Sequence, residues 1–394
     1  MKTLHKTLLA TAISGIALSS AVSVQAESFD EFVKGSSVDL NFRYRVESAD
    51  VEGGADAALA NTLKSRATFK SGDLSGFSVL VEGDNVLQLT DDFYDKENGN
   101  TATEYDLVLD QETTQINQAY IQYSGFDSTV KAGNQRIVLD NQRHVGGVAF
   151  RQDEATFDAI SITNKSIEGA TIFAAIANNR NTITDDNTEE SITLLNAKYA
   201  INKELSATAF YYGIGDVGGT DGLDLDTFGV RATGTAGEIS FEAELASQNK
   251  TTSAGGDFST LYYHLNAGTK LGTVKATLGY EAFGSDDGQA AFATPLGTNH
   301  KFFGWSDAYL GGAGNNGIQD IYASAVTKVA GIKLVGQLHK FDAIEGSADL
   351  GTELGFVAAK KFGSYGASLK VAQLADSDIK ADTTKIWLTG SAKF

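Results

Sequence analysis

Cysteine is absent from the 394 residues, and proline, methionine and tryptophan occur one, one and two times. The lack of cysteine excludes a disulfide framework, thiolate chemistry and cysteine-ligated metals. Beyond residue 26 no apolar run approaches the ~20 residues of a membrane-spanning helix. Any membrane passage therefore has to be made by strands. The single proline, Pro295, suits a chain in which nearly every segment donates backbone hydrogen bonds to a sheet.

Positive charge is also scarce, because 31 Lys and Arg stand against 50 Asp and Glu and give a net charge of -19. This balance argues against nucleic acid as a partner. The histidines form no His-Glu-x-x-His motif or other spaced metal pair, and neither a Gly-x-Ser-x-Gly elbow nor a Walker loop is present. We therefore predict no metal, no cofactor and no enzymatic activity. The alternative, a barrel hydrolase assembled from distant strands, would make His264 the first candidate.

The first 26 residues have the pattern of a signal peptide. Lys2 and Lys6 precede an apolar stretch over 8–24, and Val24-Gln25-Ala26 fits a small-residue cleavage site. An uncleaved anchor is the alternative, but the stretch is short and no stop-transfer pattern follows it. Cleavage removes two lysines and no acid, which leaves a net charge of about -21 for residues 27–394. The sequence predicts a product that passes the inner membrane.

A two-residue period of apolar and polar side chains runs through the remainder. In its first segment the apolar residues are Val38, Leu40, Phe42, Tyr44 and Val46, each followed by a polar residue. Such alternation is typical of half-buried strands. About eighteen segments fit it, near 38–48, 61–71, 76–86, 113–123, 128–136, 155–164, 169–178, 190–201, 204–213, 223–233, 236–248, 257–268, 273–283, 318–328, 331–341, 350–362, 364–374 and 383–394.

The connections between these segments alternate between short and long. Short turns are expected at 72–75, 124–127, 234–237, 269–272 and 330. Long polar loops are expected at 87–112, 137–154, 179–189, 214–222, 249–256, 284–317, 342–349 and 375–382. This pattern is typical of an all-β, transmembrane antiparallel β-barrel with short periplasmic turns and long extracellular loops. We expect one such barrel over 27–394, with a short periplasmic segment over 27–37, in the outer membrane of a Gram-negative bacterium.

The C-terminal strand and the aromatic residues fit this expectation. The chain ends in Phe394 on an alternating strand, which resembles the recognition signal of proteins handed to the outer-membrane barrel assembly machinery; an ordinary edge strand is the alternative. Other aromatic residues fall near strand ends, where membrane barrels carry girdles, although Tyr and Phe also simply favour strands. They are Tyr123, Tyr199, Phe210, Tyr211, Tyr280, Phe341, Phe362 and Trp387.

Basic residues are concentrated on the polar face of the first third. A barrel of this width is too wide for side chains to fill, so its polar face lines water or a folded-in loop. We expect the 137–154 loop to fold inward, where its arginines would form a positive constriction that attracts carboxylate, sulfate or phosphate groups. The predicted pore-lining residues are Arg43, Arg45, Lys64, Arg66, Lys70, Lys131, Arg136, Arg143 and Arg151.

The alternative is that these cations brace the wall by pairing with carboxylates across the lumen. The candidate partners are Asp39, Glu47, Glu82, Asp84, Asp140, Asp153, Glu154 and Asp158. Further acidic clusters fall in the predicted outer loops, where cations could bridge them to lipopolysaccharide phosphates or where they form solvated surface. Outer-membrane lipid, lipopolysaccharide and small solutes are therefore the expected partners.

Two stretches carry a family resemblance, Thr129 to Ala159 and Thr294 to Gly312. They resemble segments of bacterial outer-membrane porins grouped with the alginate-export family, and the rest of the chain is similar more loosely. The resemblance implies an eighteen-stranded monomeric barrel with an electropositive lumen, lined by Arg43, Arg45, Arg66, Arg136, Arg143 and Arg151.

The predicted function is that of a porin for passive diffusion of small hydrophilic solutes, with a preference for anions as a hypothesis. Two alternatives stay open besides the barrel hydrolase. One is a plugged structural or adhesive barrel that acts through its acidic outer loops. The other, which follows from the resemblance, is an exporter of an anionic polysaccharide.

Overall fold

The computed structural model describes residues 26–184 and 186–394. The predicted signal peptide lies outside these residues except for its last position. Helix α1, Ala26–Lys34, precedes the first strand, and the Phe32 carbonyl accepts a hydrogen bond from the Gly72 amide at 3.0 Å. This contact joins the helix to the first short turn. None of the helices among the described residues is long and apolar enough to cross a membrane.

Within the described residues eighteen long strands form one sheet, which the two-residue strand Asn187–Thr188 joins beside Ala170–Asn181. Two further two-residue strands, Ser285–Asp286 and Ala290–Ala291, pair with each other in a loop. Each of the eighteen predicted segments is confirmed, with ends within three residues of those expected. The strands are β1 Ser37–Val51, β2 Ala58–Lys70, β3 Phe77–Gln88, β4 Thr113–Gly125, β5 Ser128–Gln135, β6 Thr156–Asn164, β7 Ala170–Asn181, β8 Ser191–Ala200, β9 Leu205–Gly215, β10 Asp224–Ala236, β11 Ile239–Thr251, β12 Asp257–Leu271, β13 Val274–Phe283, β14 Ile318–Val329, β15 Ile332–Asp342, β16 Asp349–Phe362, β17 Tyr365–Ala375 and β18 Thr383–Lys393.

Every strand pairs antiparallel with the next, and β18 pairs with β1, so the sheet closes into a barrel. The seam runs from Asn41 opposite Lys393 to Val51 opposite Thr383. Next to Asn41 and Lys393, at the C-terminal end of the seam, Leu40 and Phe394 donate one backbone hydrogen bond to each other, both of 2.9 Å. Closure satisfies the backbone groups that lipid cannot hydrogen-bond. The predicted fold class is thus confirmed.

The alternation of side chains places apolar groups outside and polar groups inside. On β1 the outward Phe42 and Tyr44 are about two-fifths exposed, whereas the inward Arg45 and Glu47 are buried. The barrel therefore inverts the arrangement of a soluble protein, as a lipid-facing wall requires. The girdle prediction was wrong for Phe210, Phe341 and Trp387, which are buried in the lumen.

Those aromatic residues are buried because two long loops fill the lumen and pack against them. The loops are 136–155, between β5 and β6, and 284–317, between β13 and β14. Their apolar side chains pack on one another and on the wall in one cluster that contains Ile137, Val145, Phe157, Tyr262, Phe283, Phe292, Leu296, Phe303, Tyr309 and Phe341. The prediction that the 137–154 loop folds inward agrees with this packing.

Candidate functional site: the lumen and its charged lining

The segment 149–154, here called the neck segment, extends from the inner loop to the wall at β1 and β2. Arg43 of β1 donates from Nε to Gln152 Oε1 and from Nη1 to the Ala149 carbonyl, both at 2.8 Å, and from Nη2 to the Arg151 carbonyl. Gln152 Nε2 donates to Thr62 Oγ1 of β2 at 2.8 Å. The neck segment is therefore tied to the wall by polar contacts.

The same loop reaches the opposite wall. His144 Nε2 lies 2.6 Å from Glu244 Oε1 on β11, and Asn141 Nδ2 donates to Glu242 Oε1 at 2.7 Å. Since β1 and β11 lie far apart around an eighteen-stranded barrel, contacts with both mean that the loop crosses the lumen. Glycine allows it to pack closely, because a Cβ at Gly146 would lie 2.2 Å from Thr298 Oγ1 of the other inner loop.

The neck segment separates cavities at the two ends of the barrel. Among the described residues, two cavities of about 210 and 260 Å³ open on the side of the long loops, and both are lined by Arg151 and Asp307. A larger cavity of about 700 Å³ lies on the side of the short turns and is lined by Arg43 and Glu154. The neck segment contributes Arg151 to the two smaller cavities and Glu154 to the larger one, so it lies between them.

The larger cavity, here called the inner cavity, has a positive lining. Of the described charged residues that line it, five are basic and three are acidic. The basic residues are Arg43, Lys64, Arg66, Lys361 and Lys393, and the acidic ones are Asp39, Glu82 and Glu154. The local balance is thus opposite in sign to the net charge of -19 of the whole chain.

A network of ion pairs holds the cations at the wall of this cavity. Arg66 donates two hydrogen bonds to the Asp84 carboxylate, of 2.6 and 2.5 Å, and one to Glu154 at 2.9 Å. Lys64 Nζ lies 3.0 Å from Asp84. Arg136 Nη2 lies 3.0 Å from Glu82, and the same side chain contacts Glu154. Four of the carboxylates considered for the bracing alternative pair as that alternative expects: Glu47, Glu82, Asp84 and Glu154.

The predicted lining residues differ in their surroundings. Arg45 is buried with its Nη1 3.6 Å from Asp110, and Arg151 is buried with its guanidinium on Glu47 and Asp307, at 3.0 and 2.9 Å. Lys70 is exposed at the end of β2, beyond the residues that line the cavity. Lys131 lies with its Nζ 4.7 Å from the Tyr120 ring.

Arg143 departs from the expectation. Its side chain has no exposed surface, its Nε lies 2.6 Å from Glu281, and the rings of Phe283, Phe302 and Phe303 surround its guanidinium at 4.3 to 4.5 Å. Arg143 thus braces the two inner loops against the wall and does not face a cavity. The sequence predicts that Arg143 lies in the 137–154 loop, but it does not predict that the 284–317 loop covers this side chain.

Further cations on the lumen wall were not among the predicted site residues. Lys370 of β17 and Lys385 of β18 point inward, and Lys385 Nζ lies 3.6 Å from Asp307. The alternation of side chains could have placed both lysines on the lumen face. Lys370 follows the outward Leu369, and Lys385 precedes the outward Ile386.

A chain of contacts joins Lys370 to the second inner loop. Lys370 Nζ lies 2.5 Å from His300 Nε2, and His300 Nδ1 contacts Asp307. Burial lowers the pKa of His300 to about 4, so the imidazole is neutral at neutral pH. Its Nδ1 hydrogen then points to Asp307 and its Nε2 accepts from Lys370, a tautomer that the contacts imply. This arrangement pins the loop to β17.

Carboxylates dominate the opposite wall. Glu242 and Glu244 share Arg231, and Asp320 Oδ2 lies 2.8 Å from His339 Nδ1. The lumen therefore has a basic side at β1 and β2 and an acidic side from β11 to β16. No group of three or more metal-ligating side chains suited to a metal ion occurs in the part of the chain that the structure describes.

No family model matches the sequence, and no curated protein matches it significantly. Solved structures do match. OccK9 (OpdG) of Pseudomonas aeruginosa has a TM-score of 0.72 at 14% identity, over 92% of this chain and 99% of that chain. OccAB2 of Acinetobacter baumannii has a TM-score of 0.69 at 16% identity, with the same coverage. OpdK of P. aeruginosa, in a structure with vanillate, has a TM-score of 0.68 at 12% identity over 92% and 99%.

These neighbours are outer-membrane porins, which are channels rather than enzymes. They do not support the narrower resemblance to the alginate-export family. At identities of 12–16% the likeness concerns the fold. The chain thus has the fold of a Gram-negative outer-membrane porin.

Proposed function

We propose that the protein is an outer-membrane channel for small hydrophilic solutes that prefers anions, and small carboxylates in particular. The observation that carries this proposal is the inner cavity, whose lining has five basic and three acidic residues among those described. Its sign is opposite to that of the chain as a whole. The positive charge of this lining is therefore a local property of the cavity and does not follow from the composition of the chain.

Charge of one sign in a confined, low-dielectric passage concentrates ions of the other sign. Arg43 and Arg66 direct their guanidinium donors to the neck segment and to Asp84 and Glu154, so they act on a passing anion through their charge. The carboxylates on the wall hold these cations in place, so bracing and selection coexist in one network. OpdK, which has been crystallised with vanillate, a small aromatic carboxylate, gives the proposal a precedent among barrels of this fold.

The packed lumen favours small solutes over a polysaccharide. An extended polyanion needs one continuous wide passage, whereas the neck segment divides the described lumen into cavities of about 210, 260 and 700 Å³. Export of an anionic polysaccharide would require both inner loops to leave the barrel. Their shared apolar cluster and the ion pairs of Arg143 and Arg151 oppose this.

The test is the reversal potential of single channels in a planar bilayer under a KCl gradient. We expect an anion preference in the natural protein and a weaker one in Lys361→Gln, since Lys361 lines the inner cavity. Lys165→Gln makes the same charge change in the turn between β6 and β7 and should leave the potential unchanged. A cation-preferring channel would refute the proposal. A silent membrane despite proven insertion would support the plugged barrel instead.

A further inference from the structure

The short turns of the barrel form two groups that differ in charge. Each of the five turns between β2 and β11 contains a carboxylate, namely Asp73, Asp127, Glu168, Glu204 or Glu238. The three turns between β12 and β17, their flanking strand ends and the end of β18 contain none; these are residues 267–279, 325–336, 356–369 and 390–394. Their charged side chains are seven lysines, here called the basic lip: Lys270, Lys275, Lys328, Lys333, Lys360, Lys361 and Lys393.

The basic lip borders the mouth of the lumen at the end of the short turns. All seven residues are exposed. Six of them point to the lumen side, because they alternate along their strands with outward residues such as Leu271 and Val329. Lys360 alone shares the outward face of its strand with Phe362. The lip is thus directed at the aqueous mouth of the barrel and away from lipid.

Two pairs of these lysines face each other across neighbouring strands. Lys270 of β12 lies directly opposite Lys275 of β13, and Lys328 of β14 lies directly opposite Lys333 of β15. Like charges in such positions repel each other and destabilise a sheet. None of the four has an ion pair with a carboxylate within the described part of the chain. A local cost without local compensation is typical of a functional surface.

The ion path through the lumen does not account for these four paired lysines. Of the basic lip, Lys361 and Lys393 line the inner cavity. Lys393 is also the member with an ion pair among the described residues, since its Nζ lies 3.9 Å from Asp39. The four paired lysines lie outside the three lumen cavities described above. Their charge is therefore open to a partner that approaches from outside the barrel.

An acidic peptide segment fits this surface by its charge. The lysine ammonium is a compact charge on a flexible stem, so it attracts a carboxylate without fixing one geometry. Exposed lysines along one arc therefore suit a flexible chain that bears several Asp and Glu side chains. The rest of the protein repels such a partner, because the net charge of the whole chain is -19. Phospholipid headgroups fit less well, since only Lys360 of the lip faces outward.

We propose that the basic lip is a docking surface for an acidic segment of a periplasmic protein. The segment lies across the β12–β13 and β14–β15 turns, and its carboxylates neutralise both like-charged lysine pairs. This inference goes beyond the proposed function and does not rest on it, because the four paired lysines lie outside the inner cavity. It adds a partner at the end of the barrel opposite to the acidic loops.

The experiment measures the binding of a fluorescently labelled decaglutamate peptide to the full-length protein in phosphatidylcholine nanodiscs, by fluorescence anisotropy. Lys270→Gln, Lys275→Gln, Lys328→Gln and Lys333→Gln combined should weaken binding at least about fourfold, the low end of what four exposed ion pairs contribute together. This variant leaves the inner cavity unchanged and removes the like-charge repulsion, so it should fold. The control variant changes four exposed lysines on the other arc of the same end to Gln: Lys70, Lys165, Lys198 and Lys203.

The control variant should bind the peptide as the natural protein does. Raising KCl from 0.1 to 1 M should weaken binding by the natural protein, because the screening length falls from about 10 to about 3 Å. No binding by the natural protein, or an equal loss in both variants, would overturn the inference. So would enrichment of phosphatidylglycerol in mixed nanodiscs by the natural protein and not by the first variant, without peptide binding, since the lip would then be a lipid site.

The reversal potential separates this inference from the proposed function. An anion-preferring channel whose natural form does not bind the peptide would refute the docking surface alone. Peptide binding that depends on the four paired lysines, in a channel without anion preference, would refute the proposed function alone.

Discussion

Glu154→Gln removes one carboxylate from the inner cavity and keeps the shape of the side chain. Burial by itself would raise the pKa of Glu154, but Arg66 and Arg136 hold it below its usual range, so the group is ionised at neutral pH. Each of its cationic partners keeps a second carboxylate, because Arg66 and Lys64 contact Asp84 and Arg136 contacts Glu82. The barrel should therefore stay folded while the cavity becomes more positive.

The size of the effect follows from Coulomb's law. At the dielectric constant of bulk water, a unit charge about 5 Å from a passing ion contributes about 0.8 kcal/mol. Loss of the carboxylate stabilises an anion by that amount and destabilises a cation equally. The difference of about 1.6 kcal/mol corresponds to a ratio of anion to cation permeability that is about fifteenfold higher.

The assay is the reversal potential in a planar bilayer under a KCl gradient. Glu168→Gln, in the turn between β6 and β7, makes the same charge change away from the cavity and is the control. The variant should shift the potential towards the chloride equilibrium potential, and the control should not. If Glu154→Gln and Glu168→Gln gave the same potential, Glu154 would not line the ion path, and the reasoning would fail.

Three further predictions concern stability and assembly. Arg143→Met should leave Glu281 buried without its cationic partner and destabilise the barrel by ~3–5 kcal/mol, seen as a lower unfolding temperature with little change in reversal potential. Deleting Phe394 removes two seam hydrogen bonds, each worth about 1 kcal/mol, and should lower that temperature, whereas Phe394→Ala keeps them and should mainly impair assembly in cells. Because the pKa of folded His300 is about 4 and that of an unfolded histidine about 6.5, stability should fall as pH drops from 6.5 through 4. His300→Gln should remove this contribution, seen in thermal unfolding as a smaller loss of stability between pH 6.5 and 4.

The strands could be predicted because a single rule governs a lipid-facing barrel wall. Outward positions must be apolar and inward ones polar, so alternation marks each strand, and the contrast between short turns and long loops marks the two ends. The same rule places Arg43, Arg45, Lys64 and Arg66 on the lumen face. The girdle predictions for Phe210, Phe341 and Trp387 failed because they rested on residue type and nearness to a strand end. Alternation places Trp387, between the outward Ile386 and Leu388, on the lumen face.

The contacts inside the lumen could not be predicted, because they depend on loops that meet from distant parts of the chain. Arg143 is covered by Phe302 and Phe303 of the other inner loop, more than 150 positions away in sequence. Lys370 joins the site through His300 of that same loop. No local sequence pattern predicts such contacts, because the side chains of loop residues do not alternate with a fixed period.

The central claim is that a positive inner cavity makes this barrel an anion-preferring channel. The measurement that tests it most directly is the single-channel conductance and reversal potential of the natural protein in a planar bilayer under a KCl gradient, repeated with potassium acetate. We expect stable conductance steps whose reversal potential is displaced towards the equilibrium potential of the anion in both salts. A reversal potential displaced towards the potassium equilibrium potential would contradict the claim.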